Sequence, residues 1–479
     1  MPNNDAALLL LGHGSTLNSD SSVPTYEHAE EIRRRGMFTE VHVAFWKEET
    51  NFRQALHLTD CRQIYVVPDF ISSGYFTEQI IPRELGLEGP ITRREGREIF
   101  YCEPVGLHPS MTEALLRRAS EVVAASGERI AEPAKTACLF ICGHGTSLND
   151  NSTRIIHEQA GLIRSRGLYA DCQAVLMEQR PLVKDWRTLT NCPDVIVVPF
   201  FISDGLHSFE NIPVLLGLTH DVREKFFANP HHENGRRLWY ASAIGTEPFL
   251  ADVILAQVHQ FQQRYADAVA ESPGTPIAPS GHKELEQFLQ DTPPPFKIGE
   301  MVIHKREDGS FELRHGGDLD RDSAGLHRIE SLEELRDLVR FDSDGNFRPL
   351  HAAPHLRSGW IYCAGDLAAL HLALDYIYPA ALANGMLHRN GRLPVTSWKE
   401  TAERQSGRFH VVREINDASL HDVVRDICER KCRKRRLWSP AAQPVEPQPG
   451  EISLLCPEAC NLLVSKVRDK LEHFKIYCT

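Results

Sequence analysis

The sequence predicts an α/β fold built twice over, with parallel sheets flanked by helices, followed by a small mixed α+β domain and a mainly helical C-terminal region. Two observations carry this reading: an internal repeat across the first half, and continuous rather than alternating apolar runs inside each copy. A third, the Pro- and Gly-rich stretch ESPGTPIAPSG at 271–281, reads as a linker separating that half from the rest.

The repeat is direct. LLLLGHGSTLN, beginning at Leu8, recurs as LFICGHGTSLN, beginning at Leu139. The register then holds without a gap through Glu27 and Glu158, Arg33 and Arg164, and Cys61 and Cys192, to VVPDFISSG at 66–74 against VVPFFISDG at 197–205. After a short insertion around 229–233 the match resumes at Gly96 with Gly235, and ends on GLHP at 106–109 against GTEP at 245–248.

Within each copy, runs such as 8–11, 41–45 and 64–67 read as strands buried on both faces, and 26–35 and 111–124 read as amphipathic helices between them. Strand and helix in alternation imply a parallel sheet whose ligands sit beyond the carboxyl ends of the strands. Domains are expected at 1–130, 131–270, 282–353 and 354–479.

Composition bounds the function classes. The chain of 479 residues is too long for one core, and length alone suggests roughly three or four domains. A formal net charge of −12 argues against general nucleic-acid binding, since phosphates demand a basic surface. No run approaches the roughly 20 apolar residues of a membrane span, and the first residues, MPNND, lack the basic start of a secretion signal. A cytoplasmic protein is expected. The 12 cysteines are then candidates for metal or redox work rather than for disulfides.

Three potential ligands of the second copy fall directly after predicted strands: His144 after 139–142, Glu178 after 174–177, and His207 in the loop after 195–201. All three should reach one rim. Two imidazoles and a carboxylate suit a divalent first-row metal, and incomplete protein coordination leaves room for a substrate that is itself a ligand. The same groups are able to accept protons.

GHGTSLN, VLMEQRP and VPFFISDGLHSFENIP, in that order, resemble the signature regions of the class II chelatases of the CbiX, SirB and CbiK group. The resemblance covers about the first 265 residues. It implies insertion of cobalt, nickel or ferrous iron into a sirohydrochlorin-like tetrapyrrole without ATP, with His144, Glu178 and His207 lining the insertion cleft. Replacing His207 with Ala should then abolish insertion.

The first copy departs from this pattern. His13 matches His144, but Lys47 stands for Glu178 and Phe76 for His207, so the first copy reads as a structural half that completes the cleft. Glu48 and Glu78 lie near enough in sequence to be considered as substitutes. In the second copy Asn211 stands where the family has Asp before Ile-Pro.

A different protein follows the linker. Strands at 300–304 and 311–315, with Asp308-Gly309 between them, read as a hairpin, and beyond about Pro354 the pattern turns mainly helical, as at 366–376 and 464–474. Cys428, Cys432, Cys456 and Cys460 form two C-x₃-C pairs around a Pro-rich stretch, a complete four-thiolate set that a 4Fe-4S cluster or a structural zinc would satisfy equally. The whole layout resembles a group of bacterial chelatase-like proteins in which a CbiX-like repeat precedes a small stabilising domain and a C-terminal 4Fe-4S domain. That resemblance implies a cluster.

The leading expectation is therefore a chelatase acting on a tetrapyrrole, in a siroheme, cobalamin or related pathway. The alternatives are a redox or sensing protein that binds a tetrapyrrole or metal and uses the cluster, and a metal carrier without turnover. The fused repeat can replace a homodimer, which makes a monomer the expected state.

Overall fold

In a computed structural model of the protein, the described residues are 3–477 apart from 16–17, 57, 60, 95, 146–149, 206, 221–226, 271–279, 343, 348–355, 379–397, 406 and 432–459. The chain divides into two compact units, Met1–Trp46 with Cys61–Pro276, and Lys47–Asp60 with Ile277–Thr479.

The first unit holds both repeats. The first repeat forms β1 (Asn3–Gly12), β2 (Phe38–Phe45), β3 (Gln63–Pro68), β4 (Ile91–Arg94) and β5 (Arg97–Tyr101), in the sheet order β2-β1-β3-β5-β4. All neighbours run parallel except the edge strand β4. The second repeat forms β6 (Ala137–Gly143), β7 (Asp171–Leu176), β8 (Asp194–Pro199), β9 (His231–Glu233) and β10 (Arg236–Tyr240), in the same order, β7-β6-β8-β10-β9.

Why the apolar runs are continuous is visible in β6. Leu139 and Ile141 enter one core, while Cys138, Phe140 and Cys142 enter another on the opposite face. Side chains alternate across a strand, so burial on both faces leaves no polar position to interrupt the run. The short edge pairs β4–β5 and β9–β10 lack that signature and are not distinguished by the sequence pattern.

Four helices carry the rest of the argument: α1 (Val23–Arg34), α2 (Met111–Ala125), α3 (Asp150–Ser165) and α4 (Leu250–Arg264). The terminal helices are exchanged between repeats. Helix α2 follows the first sheet in sequence, yet its Leu115 and Ala119 share a core with Leu139, Ile141, Ile196 and Val198 of the second sheet. At its end, Ser126 Oγ accepts a hydrogen bond of 3.0 Å from Trp239 Nε1 on β10. Helix α4 makes the reciprocal move, with Phe261 5.6 Å from Phe100 and Gln257 Nε2 donating to the Pro104 carbonyl at 2.7 Å. Each repeat thus supplies the cover for the other's apolar sheet face, and the pair folds as one body.

The second unit is described separately. Its sheet comprises β11 (Phe296–Ile298), β12 (Met301–Lys305), β13 (Phe311–His315), β14 (His327–Ile329) and β15 (Trp360–Ala364), in the order β11-β12-β13-β15-β14. The expected hairpin is β12–β13, paired from Met301↔His315 to Lys305↔Phe311, with Gly309 at φ 87° in the turn. Strand β15 lies beyond Pro354, in the region read as mainly helical. Its five residues, WIYCA, are too few to show a helical period, and pairing with β13 and β14 decides the conformation.

Lys47–Asp60, continuous in sequence with the first repeat, belongs to this unit. Phe52, Ala55 and Leu58 are buried there, and Glu48 pairs with Arg340 at 2.5 Å, both side chains only 2% exposed. Glu48 is therefore not a substitute metal ligand: it is consumed by a buried guanidinium, a pairing between distant residues that no local pattern reveals. Among the described residues no helix is long and apolar enough to cross a membrane.

Candidate functional site

In each repeat the chain crosses from one side of the first strand to the other, so the crevice at the strand-order reversal opens between β1 and β3, and between β6 and β8. In the second repeat His144 leaves the end of β6, and His207 lies in the loop after β8. Glu178 leaves the end of β7, the other neighbour of β6. Parallel pairing continues past the strands, with the Met177 N–H donating to the Gly143 carbonyl at 3.0 Å and the Glu178 N–H to the His144 carbonyl at 3.1 Å. This register brings His144 beside Glu178.

The glycines flanking His144 make the approach possible. Gly145 has φ 74°, and a Cβ there would lie 2.8 Å from Leu176 Cβ, so both conformation and space require glycine. The loop carrying His207 is anchored from beneath by Gly245, where a Cβ would fall 1.7 Å from the Ile202 carbonyl oxygen. Asp204 Oδ1 accepts from the Ala243 N–H at 2.7 Å, and Tyr240 Oη donates to the Ser208 carbonyl at 2.5 Å.

The three expected residues come together around His144. Its ring centroid is 4.7 Å from that of His207, with the planes at 79°, and its Nε2 is 3.7 Å from Glu178 Oε1. That separation allows electrostatic attraction but is too long for a hydrogen bond. The Glu178 side chain is 61% exposed, and His207 is exposed as well. Among the described residues no three His, Cys, Asp or Glu side chains are already gathered closely enough to hold a metal ion. The exposed carboxylate has the freedom to close that gap by rotation.

His144 is half-buried. Burial first, and then the neighbouring His207, hold its pKa below the usual 6.5, while Glu178 pulls the other way. A neutral ring with its lone pair available is the result at neutral pH. Its Nδ1 is buried and makes no hydrogen bond among the described residues. His207 is more firmly held: Nδ1 lies 3.0 Å from Asn211 Oδ1. With the amide oxygen accepting, Nδ1 carries the proton and Nε2 presents its lone pair to the crevice. Asn211 is thus a positioning residue that sequence reading registered only as a departure from the family's Asp. The signal available was its place one helical turn after His207.

In the first repeat His13 occupies the position of His144, but Phe76 stands against it, their centroids 4.9 Å apart. Lys47 belongs to the second unit, where its Nζ lies 5.6 Å from the Phe409 ring centroid. Burial, and then Arg408 and Arg468, push the Lys47 pKa down.

Of the four predicted thiolates, Cys428 and Cys460 are described, and Cys432 and Cys456 lie outside the described residues. Cys428 is buried in the helical turn Arg425–Lys431, and Cys460 stands immediately before the helix Asn461–Tyr477. Both join one apolar core with Leu420, Val424, Ile427 and Val467. Two soft donors at one apolar core, one in the turn Arg425–Lys431 and one just before the helix Asn461–Tyr477, fit a cluster site.

Comparisons with known proteins place these features. The family model described as CbiX matches residues 7–122 and 138–261. A DR2241 stabilising domain matches 282–389, and a 4Fe-4S iron-sulfur cluster binding domain matches 390–469. A probable sirohydrochlorin cobaltochelatase of Halobacterium salinarum is 42% identical over 280 residues, which cover 55% of this chain and 94% of that protein. A sirohydrochlorin cobaltochelatase of Methanopyrus kandleri is 30% identical over 139 residues, 24% of this chain and 96% of that protein. The crystal structure of DR2241 from Deinococcus radiodurans, described as a multi-domain protein with structural similarity to chelatases and two additional novel domains, superposes with a TM-score of 0.78. It is 26% identical and covers 98% of this chain and 99% of its own.

Proposed function

The chain belongs to the CbiX family, and from that premise we propose that it is a chelatase inserting Co²⁺, Ni²⁺ or Fe²⁺ into a sirohydrochlorin-type macrocycle. His144, Glu178 and His207 act as the metal-handling residues. The observation that carries the reading is the meeting of two imidazoles and a carboxylate at the strand-order reversal of the second repeat.

Insertion exchanges one M²⁺ for two pyrrole N–H protons. His207 Nε2, kept as an acceptor by the hydrogen bond to Asn211, and the neutral ring of His144 bind the incoming ion, while Glu178 supplies compensating charge as water leaves it. The ion passes to the macrocycle nitrogens as it leaves the imidazoles, and each imidazole it vacates is a base able to take one of the two departing protons. Incomplete protein coordination matters here, because a closed four-ligand site would hold the metal rather than release it.

Cys428, Cys432, Cys456 and Cys460 would hold the 4Fe-4S cluster, which supplies one-electron chemistry or a structural staple when bound. Insertion consumes no electrons, and this favours a second reading, a redox or sensing protein that uses the same cleft. Structural zinc at these thiolates is distinguished by iron and sulfide content. A monomer is the state proposed, since the fused repeats bury each other's sheet faces within one chain.

An anaerobic absorbance assay with sirohydrochlorin and each of the three metals tests the proposal, with a His144→Ala, His207→Ala double variant as control. Spectral conversion in the native protein and none in the variant is expected. No conversion, with cluster absorbance intact, would shift the assignment to the redox reading.

A further inference from the structure

In the first repeat the crevice between β1 and β3 carries rings where the second carries ligands. Phe76 is 5.7 Å from Phe70 and nearly parallel to it at 21°, 6.0 Å from Trp46, 5.7 Å from Tyr75, and perpendicular to His13. These rings are not core. Tyr75 is 44% exposed, His13 is exposed, and Phe70, Phe76 and Trp46 are half-buried at the strand ends.

The supporting ring is common to both repeats: Phe201 lies 5.9 Å from His207, tilted by 31°, as Phe70 lies behind Phe76. The difference is made in front of it, where a ligand has become a phenyl face. The two crevices also border each other. Asn151 Nδ2 donates to the Ser73 carbonyl at 3.3 Å, and a Cβ on Gly205 would lie 3.9 Å from both Asn18 Nδ2 and Ser21 Oγ.

We propose that the first-repeat crevice is the stacking face for the flat conjugated macrocycle, with Phe76 as its centre and Tyr75 and Trp46 beside it. This inference rests on the chelatase reading above. Aromatic faces attract an extended π system at centroid separations of about 4.5–7 Å, and successive bases stack on protein rings by the same physics. Phe76 also removes the second imidazole that would let the first repeat compete for metal. The macrocycle is then held by one repeat and met by metal from the other, so that insertion proceeds from a single face.

The test titrates metal-free sirohydrochlorin into the cluster-loaded full-length protein with no divalent metal added, following macrocycle absorbance, with Co²⁺ affinity measured separately. Phe76→Leu keeps an apolar side chain but removes the π face. It should weaken macrocycle binding about tenfold and leave Co²⁺ affinity as in the native protein, and Phe76→Trp should restore binding. Tyr75→Ala, at an exposed position that does not endanger folding, should weaken it about threefold. Native-like macrocycle affinity in both Phe76→Leu and Tyr75→Ala overturns the stacking face while leaving the chelatase reading intact. Absence of macrocycle binding by the native protein overturns both.

Discussion

The two crevices of the first unit are built on the same strand order and end differently. After β6, β7 and β8 the chain places His144, Glu178 and His207, and the carboxylate is 61% exposed. After β1, β2 and β3 it places His13, Lys47 and Phe76, and the adjoining Glu48 is 2% exposed in an ion pair with Arg340. One carboxylate is left largely facing solvent beside an imidazole, and the other is buried against a guanidinium. The sheets demand only apolar strands and exchanged helices, so the residues beyond the strand ends can differ between the two repeats without disturbing either sheet.

Substitutions at matched positions of the two repeats measure that contrast. The largest effect is expected at the imidazoles. His207→Ala or His144→Ala should reduce metal insertion by about a hundredfold or more, because each deletes one of the three proposed donors; initial rates of macrocycle absorbance change measure it. The matching change in the first repeat, His13→Ala, should leave Co²⁺ affinity unaltered, and a large loss there would erase the distinction.

The two glutamates should separate stability from metal handling. Glu48→Ala strands the buried Arg340 guanidinium and should cost about 3–5 kcal/mol of the second unit's stability, read by denaturant unfolding. Glu178→Ala removes an exposed side chain and should shift stability by about 0.5 kcal/mol or less while weakening insertion. Equal stability losses would contradict the division of labour.

Asn211→Ala should lower Co²⁺ affinity about tenfold, since His207 loses the acceptor that fixes its tautomer, and Asn211→Asp should retain native affinity. Smallest is a titration effect. His144 lies below its usual 6.5 because of burial and His207, against Glu178. Its protonation, and with it the fall in Co²⁺ affinity, should therefore come at lower pH than for an ordinary imidazole. Glu178→Gln should move the titration lower and His207→Ala should move it higher, and NMR of the His144 ring proton reads both shifts.

Much of this was legible in the sequence because it depends on local pattern. The buried strands announce themselves as unbroken apolar runs, and the three candidate ligands His144, Glu178 and His207 each follow a strand, while of their counterparts in the first copy only His13 keeps the donor. What escaped depends on distance in the fold. Nothing local to KEET at 47–50 points to Arg340, and nothing in the amphipathic pattern of α2 says that its apolar face covers the second sheet rather than the first. The hydrogen bond from His207 to Asn211 spans only one turn. The sequence pattern alone does not mark it, because an Asn one turn after a His need not turn its amide oxygen to the ring.

Cobalt stoichiometry tests the asymmetry most directly. Co²⁺ is titrated into cluster-loaded protein, and the d–d absorption of a nitrogen- and oxygen-ligated ion is followed apart from any thiolate charge-transfer band. One Co²⁺ per chain is predicted, abolished in the His144→Ala, His207→Ala variant and unchanged in His13→Ala. Two ions per chain, or one that survives the double substitution, would contradict the assignment of metal handling to the second repeat.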